Sequence, residues 1–176
     1  SSLSIKEITK FNLKKFVEFC DSEFGKKVMK AEADFIRKEL GRDAFGKILD
    51  IGCGIGAIEK YLADLDITGV DTSRVFLAEA GNRSNKRFML GNAADLSFED
   101  GSFDAVISVA TLEFIQNYLE VIREISRVLK PGGRVVVLML NPRSEYVKGR
   151  RKVKSSYFNG IKHRSVNPIR GDMLDY

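Results

Sequence analysis

Three glycines within five residues, Gly52, Gly54 and Gly56, follow directly on the apolar run Lys47-Ile-Leu-Asp-Ile51. Behind them, residues 57–65 have the apolar spacing of a helix. Glycine takes up the left-handed backbone conformations that a sharp strand-to-helix turn needs, and without a Cβ it lets a ligand approach the chain closely. The helix start beyond the turn offers amides that have no intrahelical partner. This part of the chain is therefore constrained to a strand, a tight turn and a helix, an arrangement suited to a nucleotide-like ligand. Two kinds of ligand remain open, because Gly52-x-Gly54-x-x-Ala57 also satisfies the dinucleotide fingerprint with alanine in the third place. A tight turn that holds no ligand is the plainer alternative.

The surrounding sequence places this turn in a layered α/β fold. Ile5, Ile8, Phe11, Leu13, Phe16, Val17 and Phe19 recur at helical spacing and predict a helix over 4–20. Phe24, Val28, Met29, Phe35, Ile36 and Leu40 predict a second over 22–40, closed by Gly41. Short apolar runs then predict strands at 47–51, 67–70, 87–90, 103–109 and 134–140, with helices at 57–65, 73–80 and 118–129 between them. Strands that are apolar throughout and alternate with helices indicate a doubly wound, mostly parallel sheet covered on both faces.

Asp71 ends the second predicted strand, where a carboxylate can accept hydrogen bonds from both hydroxyls of a ribose lying across the sheet edge. Asp71, Thr72 and Ser73 are also all good caps for the helix that follows, and the two roles are compatible. Glu113 follows the fourth strand at the same edge, where it could orient a substrate. His163, the single histidine, reads as a surface residue, and Cys53 as a small filler within the turn. With one histidine and only Cys20 and Cys53 as thiols, neither a zinc cluster nor a disulfide framework is available, so no metal is expected.

Four segments together carry a more specific signal. They are Ile48-Leu-Asp-Ile-Gly-Cys-Gly-Ile-Gly56, Gly69-Val-Asp71, Gly91-Asn-Ala-Ala-Asp-Leu-Ser-Phe98 running into Ser102-Phe-Asp-Ala-Val106, and Arg127-Val-Leu-Lys-Pro-Gly-Gly-Arg134. In this order and spacing the chain resembles the class I S-adenosylmethionine-dependent methyltransferases, in particular their small type 11 group, over residues 45–142. A nicotinamide-dependent dehydrogenase has no reason to place Leu-Lys-Pro-Gly-Gly-Arg before its fifth strand.

The resemblance implies a Rossmann-like methyltransferase fold with S-adenosylmethionine as cofactor. Gly52, Cys53 and Gly54 would pass beneath its methionine and ribose, with Asp50 near the amino group. Asp71 would bind the ribose, and Thr72 would lie beside the adenine. Asn92 stands where the family usually has Asp in a Gly-Asp-Ala turn; with Ala93 it would meet the adenine, its amide oxygen accepting from the exocyclic amine without charge assistance. An Asx-type turn is the competing reading of Asn92. Val109 and Ala110 would touch the methionine portion through backbone atoms. The family reaction displaces a thioether, so little acid chemistry is needed and no catalytic residue stands out.

Composition bounds the rest. The 176 residues carry 29 Lys and Arg against 24 Asp and Glu, a net charge of +5, and 44% are apolar, as in an ordinary globular protein. Residues 143–164 alone hold eight basic side chains against Glu145, so the basic character belongs to one segment. That segment lacks the regular aromatic interleaving of a base-stacking surface, and a solvated loop is the simpler reading. No apolar run is long enough to span a membrane, and a cytoplasmic enzyme is expected.

The organisation expected is one domain: a helical lid over 1–41, a cofactor-binding core over 45–142 and a basic tail over 143–176. In the family, an antiparallel hairpin normally follows the fifth strand. Here Pro168 interrupts the last candidate strand, so a short or incomplete hairpin is expected. A small-molecule acceptor is the leading expectation. RNA or protein methylation, and a cofactor-binding module without catalysis, are the rivals.

Overall fold

The computed structural model describes residues 5–41, 46–152, 157–163 and 165–174. Five strands form one parallel sheet: β1 (Lys47–Ile51), β2 (Asp66–Asp71), β3 (Arg87–Leu90), β4 (Phe103–Val109) and β5 (Leu129–Leu138), in the order β3-β2-β1-β4-β5. The chain winds from β1 one way to β2 and β3, then returns across β1 to β4 and β5. The carboxyl ends of β1 and β4 therefore flank the topological switch point, where open α/β sheets bind ligands.

The central strands carry apolar residues on both faces because both faces are covered. Ile48, Ile67, Ala105 and Ile107 pack on one side against Met29, Ala33, Ile36 and Leu40 of α2 (Glu23–Leu40) and against Ile55, Ile58 and Leu62. On the other side Leu49, Ile51, Val70 and Val106 meet Val121, Ile125 and Val128 of α4 (Tyr118–Val128). Burying one such aliphatic side chain contributes about 1.5–3 kcal/mol.

α1 (Ile5–Asp21) meets α2 at a tight corner, where the Ser22 hydroxyl accepts the Gly25 amide at 3.0 Å, a cap of about 1 kcal/mol. The other end of this corner is fastened to α3 (Arg74–Arg83): the Arg83 guanidinium donates twice to Asp21, each at 3.0 Å, and once to Glu79. The expected helix over 4–20 matches α1, except that Ser4 lies outside the described residues.

Three expectations need correction. Residues 57–65 do not form an α-helix; they hold a short 3₁₀ turn at Glu59–Tyr61. Gly56 sits at φ +65° with its amide bound to the Cys53 carbonyl, and the Tyr61 and Leu62 amides reach back only three residues. Leu62 then leaves helical backbone at φ −118°, ψ 38°, and the chain enters β2 at Asp66.

The fifth strand starts earlier than expected, at Leu129, which pairs with Phe103; Arg134 already pairs with Ala105, so Lys130 to Gly133 bulge from the ladder.

Beyond β5 the expected hairpin is replaced by helix. α5 (Glu145–Arg151), a 3₁₀ turn at Tyr157–Gly160 and α6 (Asn167–Leu174) follow, and no strand occurs there among the described residues. Ser144 caps α5 by accepting the Val147 amide at 3.2 Å. Pro168 lies in the first turn of α6, where its missing N–H is not needed. Ile169 is fully buried in the same cluster as α4, and within 143–164 Val147 and Ile161 are buried, so that segment is partly core rather than solvated loop. Lys154 and Arg164 lie outside the described residues.

Candidate active site

The glycine turn leaves β1 at the switch point and is held from the neighbouring strand. The Gly52 and Cys53 amides both donate to the Val70 carbonyl, at 2.8 and 3.1 Å. Gly52 and Gly54 take φ of +74° and +55°, conformations open to glycine at little cost. A Cβ on Gly52 would lie 2.2 Å from the Thr111 hydroxyl oxygen, whereas one on Gly54 would meet only the Phe76 ring, at 3.8 Å.

Asp71 joins the turn to the next helix. Its Oδ2 accepts the Gly54 amide at 2.9 Å and its Oδ1 accepts the Ser73 amide at 2.9 Å. Ser73 itself caps α3 by accepting the Phe76 amide. The cap reading of this segment therefore belongs to Ser73, and each Asp71 oxygen keeps a lone pair for a further donor such as a ribose hydroxyl.

The β4 side of the crevice is built around a strained residue. Ala110 has φ +50°, an uncommon conformation for a residue with a Cβ, and its amide donates to the Leu138 carbonyl at 2.7 Å. The Thr111 hydroxyl donates to the Val109 carbonyl at 3.1 Å, and the Ser108 hydroxyl bridges to the Ile51 carbonyl at 3.0 Å, tying β4 to β1. After β3, the Asn92 amide oxygen accepts the Ala94 amide at 2.9 Å, so the Asx-type turn is the arrangement present. Asn92 and Thr72 are both exposed.

All ten residues singled out in the sequence, Asp50, Gly52, Cys53, Gly54, Asp71, Thr72, Asn92, Ala93, Val109 and Ala110, thus lie at or just beyond the carboxyl ends of β1 to β4. Asp50 is buried at 4% exposure, and its Oδ1 meets no donor among the described residues. Burial and the neighbouring Glu59 push its carboxyl well above the usual range. The Cys53 thiol is likewise pushed far up, chiefly by burial, and is a filler rather than a nucleophile.

Glu113 is fully buried in the turn after β4, where one oxygen accepts the Leu140 amide at 2.7 Å; burial raises its pKa. The tail packs over this turn. The Lys162 amide donates to the Glu113 carbonyl at 2.8 Å, and the His163 ring contacts the Ile115 carbonyl and the edge of Tyr118. His163 is therefore half-buried and not the surface residue expected.

Sequence reasoning missed Glu59, Thr111 and Phe76. Glu59 read as a polar position on a helix that does not form, and the other two carry no motif. An open cleft of about 670 Å³ lies at the amino ends of the strands, lined by Lys47, Asp66, Arg87 and Phe103 among others. It is on the far side of the sheet from the glycine turn, where α/β sheets do not bind their ligands.

Comparisons with known proteins agree with this geometry. Residues 49–137 match the sequence profile of a methyltransferase domain. The chain is 38% identical over 114 residues to the sterol 4-C-methyltransferase of Caenorhabditis elegans, covering 59% of this chain and 34% of that protein. It is 36% identical over 112 residues to the demethylmenaquinone methyltransferase of Staphylococcus aureus, covering 58% of this chain and 46% of the other. It thus spans between a third and a half of these two relatives. In fold it is similar to a SAM-dependent methyltransferase of Thermotoga maritima described as a possible histamine N-methyltransferase. There the TM-score is 0.76 at 22% identity, over 96% of this chain and 78% of that one. No helix among the described residues is long and apolar enough to cross a membrane. With the profile matching half of its length and the glycine turn seated at the switch point, the chain belongs to the S-adenosylmethionine-dependent methyltransferase family that its four motifs resemble.

Proposed function

We propose that this chain binds S-adenosylmethionine across the carboxyl ends of β1 to β4 and transfers its methyl group to a small-molecule acceptor. The observation that carries the reading is the Asp71 carboxylate clasping the Gly54 amide of a glycine turn at the switch point. The residues present suit the cofactor. Open space on the Cβ side of Gly54 admits a ligand, and the unpartnered, buried Asp50 oxygen suits an ammonium group.

In this reading Gly52, Cys53 and Gly54 run beneath the methionine and ribose, Asp71 accepts from the ribose hydroxyls, and Thr72 lies beside the adenine. Asn92 and Ala93 line the adenine side, while Val109 and Ala110 present backbone atoms to the methionine portion. The bound cofactor supplies a methyl group made electrophilic by its sulfonium. The chain's contribution is to position the acceptor and exclude water. α1 and α2 act as the lid: Phe16 of α1 stacks on Phe76 with centroids 6.3 Å apart, and Phe76 borders Gly54. Residues 45–142 form the cofactor-binding core, and 143–176 contribute to the acceptor side through the packing of 160–163 on Phe114 and Glu113.

The names of the two relatives, a sterol and a demethylmenaquinone methyltransferase, favour a small molecule as acceptor. The test incubates the protein and isotopically labelled cofactor with cell extract and reads labelled products by mass spectrometry. Label in small molecules is the expected result; label confined to RNA or protein would replace the acceptor class. Tight cofactor binding with no labelled product in any fraction would favour a non-catalytic module.

A further inference from the structure

Three residues beyond Gly56 lies a second buried acid. Glu59, in the 3₁₀ turn that replaces the expected helix, is 1% exposed, and neither of its carboxyl oxygens receives a hydrogen bond from a described donor. It faces Asp50, whose Oδ1 is equally unpartnered. Two carboxylates cannot both remain ionised in such a place, because each charge lacks solvation and repels the other. A single proton held between the two would resolve the conflict, and burial together with the neighbouring Glu59 raises the Asp50 carboxyl well above its usual range. Burial raises both pKa values in the same direction.

The surroundings do not neutralise the pair. Asp71, at the end of β2, adds negative charge, and the buried Cys53 thiol is held neutral, chiefly by burial. Lys86 is the cation that acts on Glu59, but its Nζ is bound to the carbonyls of Ala63 and Leu65. What remains is a pair of buried acids with unpartnered oxygens, Asp50 standing on the strand that leads into the turn assigned to the methionine portion.

We propose that Asp50 and Glu59 together form a proton-exchanging seat for the α-ammonium of the cofactor, in which the ammonium replaces the shared proton and that proton leaves to solvent. Only the carboxyl O–H bond breaks, its electron pair staying on the oxygen and its proton passing to water or buffer: the cofactor keeps its ammonium hydrogens, and the pair passes from one negative charge to two. Glu59 is then a cofactor-positioning residue, and binding becomes linked to pH. Below the pH at which the free pair loses its proton, affinity rises up to tenfold per pH unit; above it, the dependence ends. This inference rests on reading 48–56 as the cofactor turn.

The test measures binding of S-adenosylhomocysteine by calorimetry in buffers of different ionisation enthalpy near neutral pH, which counts protons released. We expect close to one proton per ligand bound. 5′-Methylthioadenosine keeps the adenine and ribose but lacks the ammonium, and it should release none. In Glu59→Gln the side-chain amide donates to Asp50 in place of the shared proton, so release and pH dependence should both fall towards zero while binding persists. The two wild-type titrations decide the matter even if that variant does not fold. A heat of binding that is the same in every buffer overturns the proton exchange and leaves the cofactor site standing. Equal release with methylthioadenosine also overturns it, by placing the proton elsewhere. Failure of the wild type to bind S-adenosylhomocysteine at all would instead remove the cofactor reading beneath it.

Discussion

Asp71 holds the Gly54 amide at 2.9 Å, so the carboxylate assigned to the ribose is also what shapes the turn that would receive the methionine portion. Replacing Asp71 by Ala removes both roles at once. It should weaken S-adenosylmethionine binding by about 2–4 kcal/mol and lower folding stability by about 1–3 kcal/mol, since the Gly54 and Ser73 amides lose their acceptor. Asp71→Asn retains one acceptor oxygen and should lose less of each. Calorimetry and denaturant titration separate the two effects; unchanged binding by Asp71→Ala would leave the carboxylate as a structural clasp alone.

S-Adenosylmethionine and its demethylated product should bind, and raise the melting temperature, in preference to nicotinamide dinucleotides. A ligand selective for the folded state stabilises it by mass action, so thermal shift against both ligand classes is the measurement. Tighter binding of NAD would end the methyltransferase reading of the turn.

Stability should fall as pH rises from about 4.5 to about 7, in part through Glu32 on α2. Burial lifts its pKa from 4.5 to about 7, and its Oε2 meets no donor among the described residues. The folded state therefore holds this proton where the unfolded chain has released it. The group's effect is favourable below pH 4.5, is lost through this window and is constant above it. Because the side chain is partly exposed, solvent screening reduces the effect to on the order of 1 kcal/mol. Glu32→Gln should accordingly be more stable than the parent at pH 8 and show little gain at pH 4, as read by denaturant midpoints at each pH.

If the N-terminal helices close over the cofactor, breaking the Phe16–Phe76 stack should loosen them. Phe16→Ala is expected to cost about 1–3 kcal/mol of stability, less than a fully buried Phe because the ring is only partly covered. Amide exchange in α1 should slow when cofactor is added to the parent and change little in the variant. Exchange insensitive to cofactor in the parent would remove the lid.

The basic tail should bind RNA weakly and with a shallow salt dependence. Lys148, Arg150, Arg151 and Lys152 offer charge without a stacking platform, and charge alone gives non-specific affinity. Filter binding at several salt concentrations tests this, with Arg150, Arg151, Lys152 and Lys154 changed to Ala as the control. Sub-micromolar binding lost in that variant, together with loss of methyl transfer to an RNA pool, would promote RNA as the acceptor.

The sheet was legible because strands buried on both faces leave apolar runs such as Ala105 to Ile107. The turn was legible because only glycine accepts its backbone angles at little cost. What followed the turn was not. The spacing of Ile58, Tyr61 and Leu62 fits a helix, but it carries no information about the space left before β2. Glu59 was not singled out, because burial of an acid leaves no mark in a single sequence. The tail misled in a more instructive way. Pro168 reads as a strand breaker when a strand is expected and as a first-turn residue when a helix is, and the apolar Ile169 beside it was the signal for the second. Ligand contacts inferred at Thr72 and Asn92 came from resemblance, and their exposed positions would not have been singled out on physical grounds.

The unequal surroundings of Gly52 and Gly54 bear on how such a chain can diverge. At position 52 any side chain strikes Thr111 whether or not a ligand is ever bound, so a lineage that abandoned methyl transfer would still be held to glycine there by its own fold. At position 54 the protein offers no comparable obstacle beyond backbone angle, which Asn tolerates, and the space belongs to the ligand. Among descendants of this chain, substitution at 54 with retention at 52 is therefore the mark by which retired enzymes can be told from working ones.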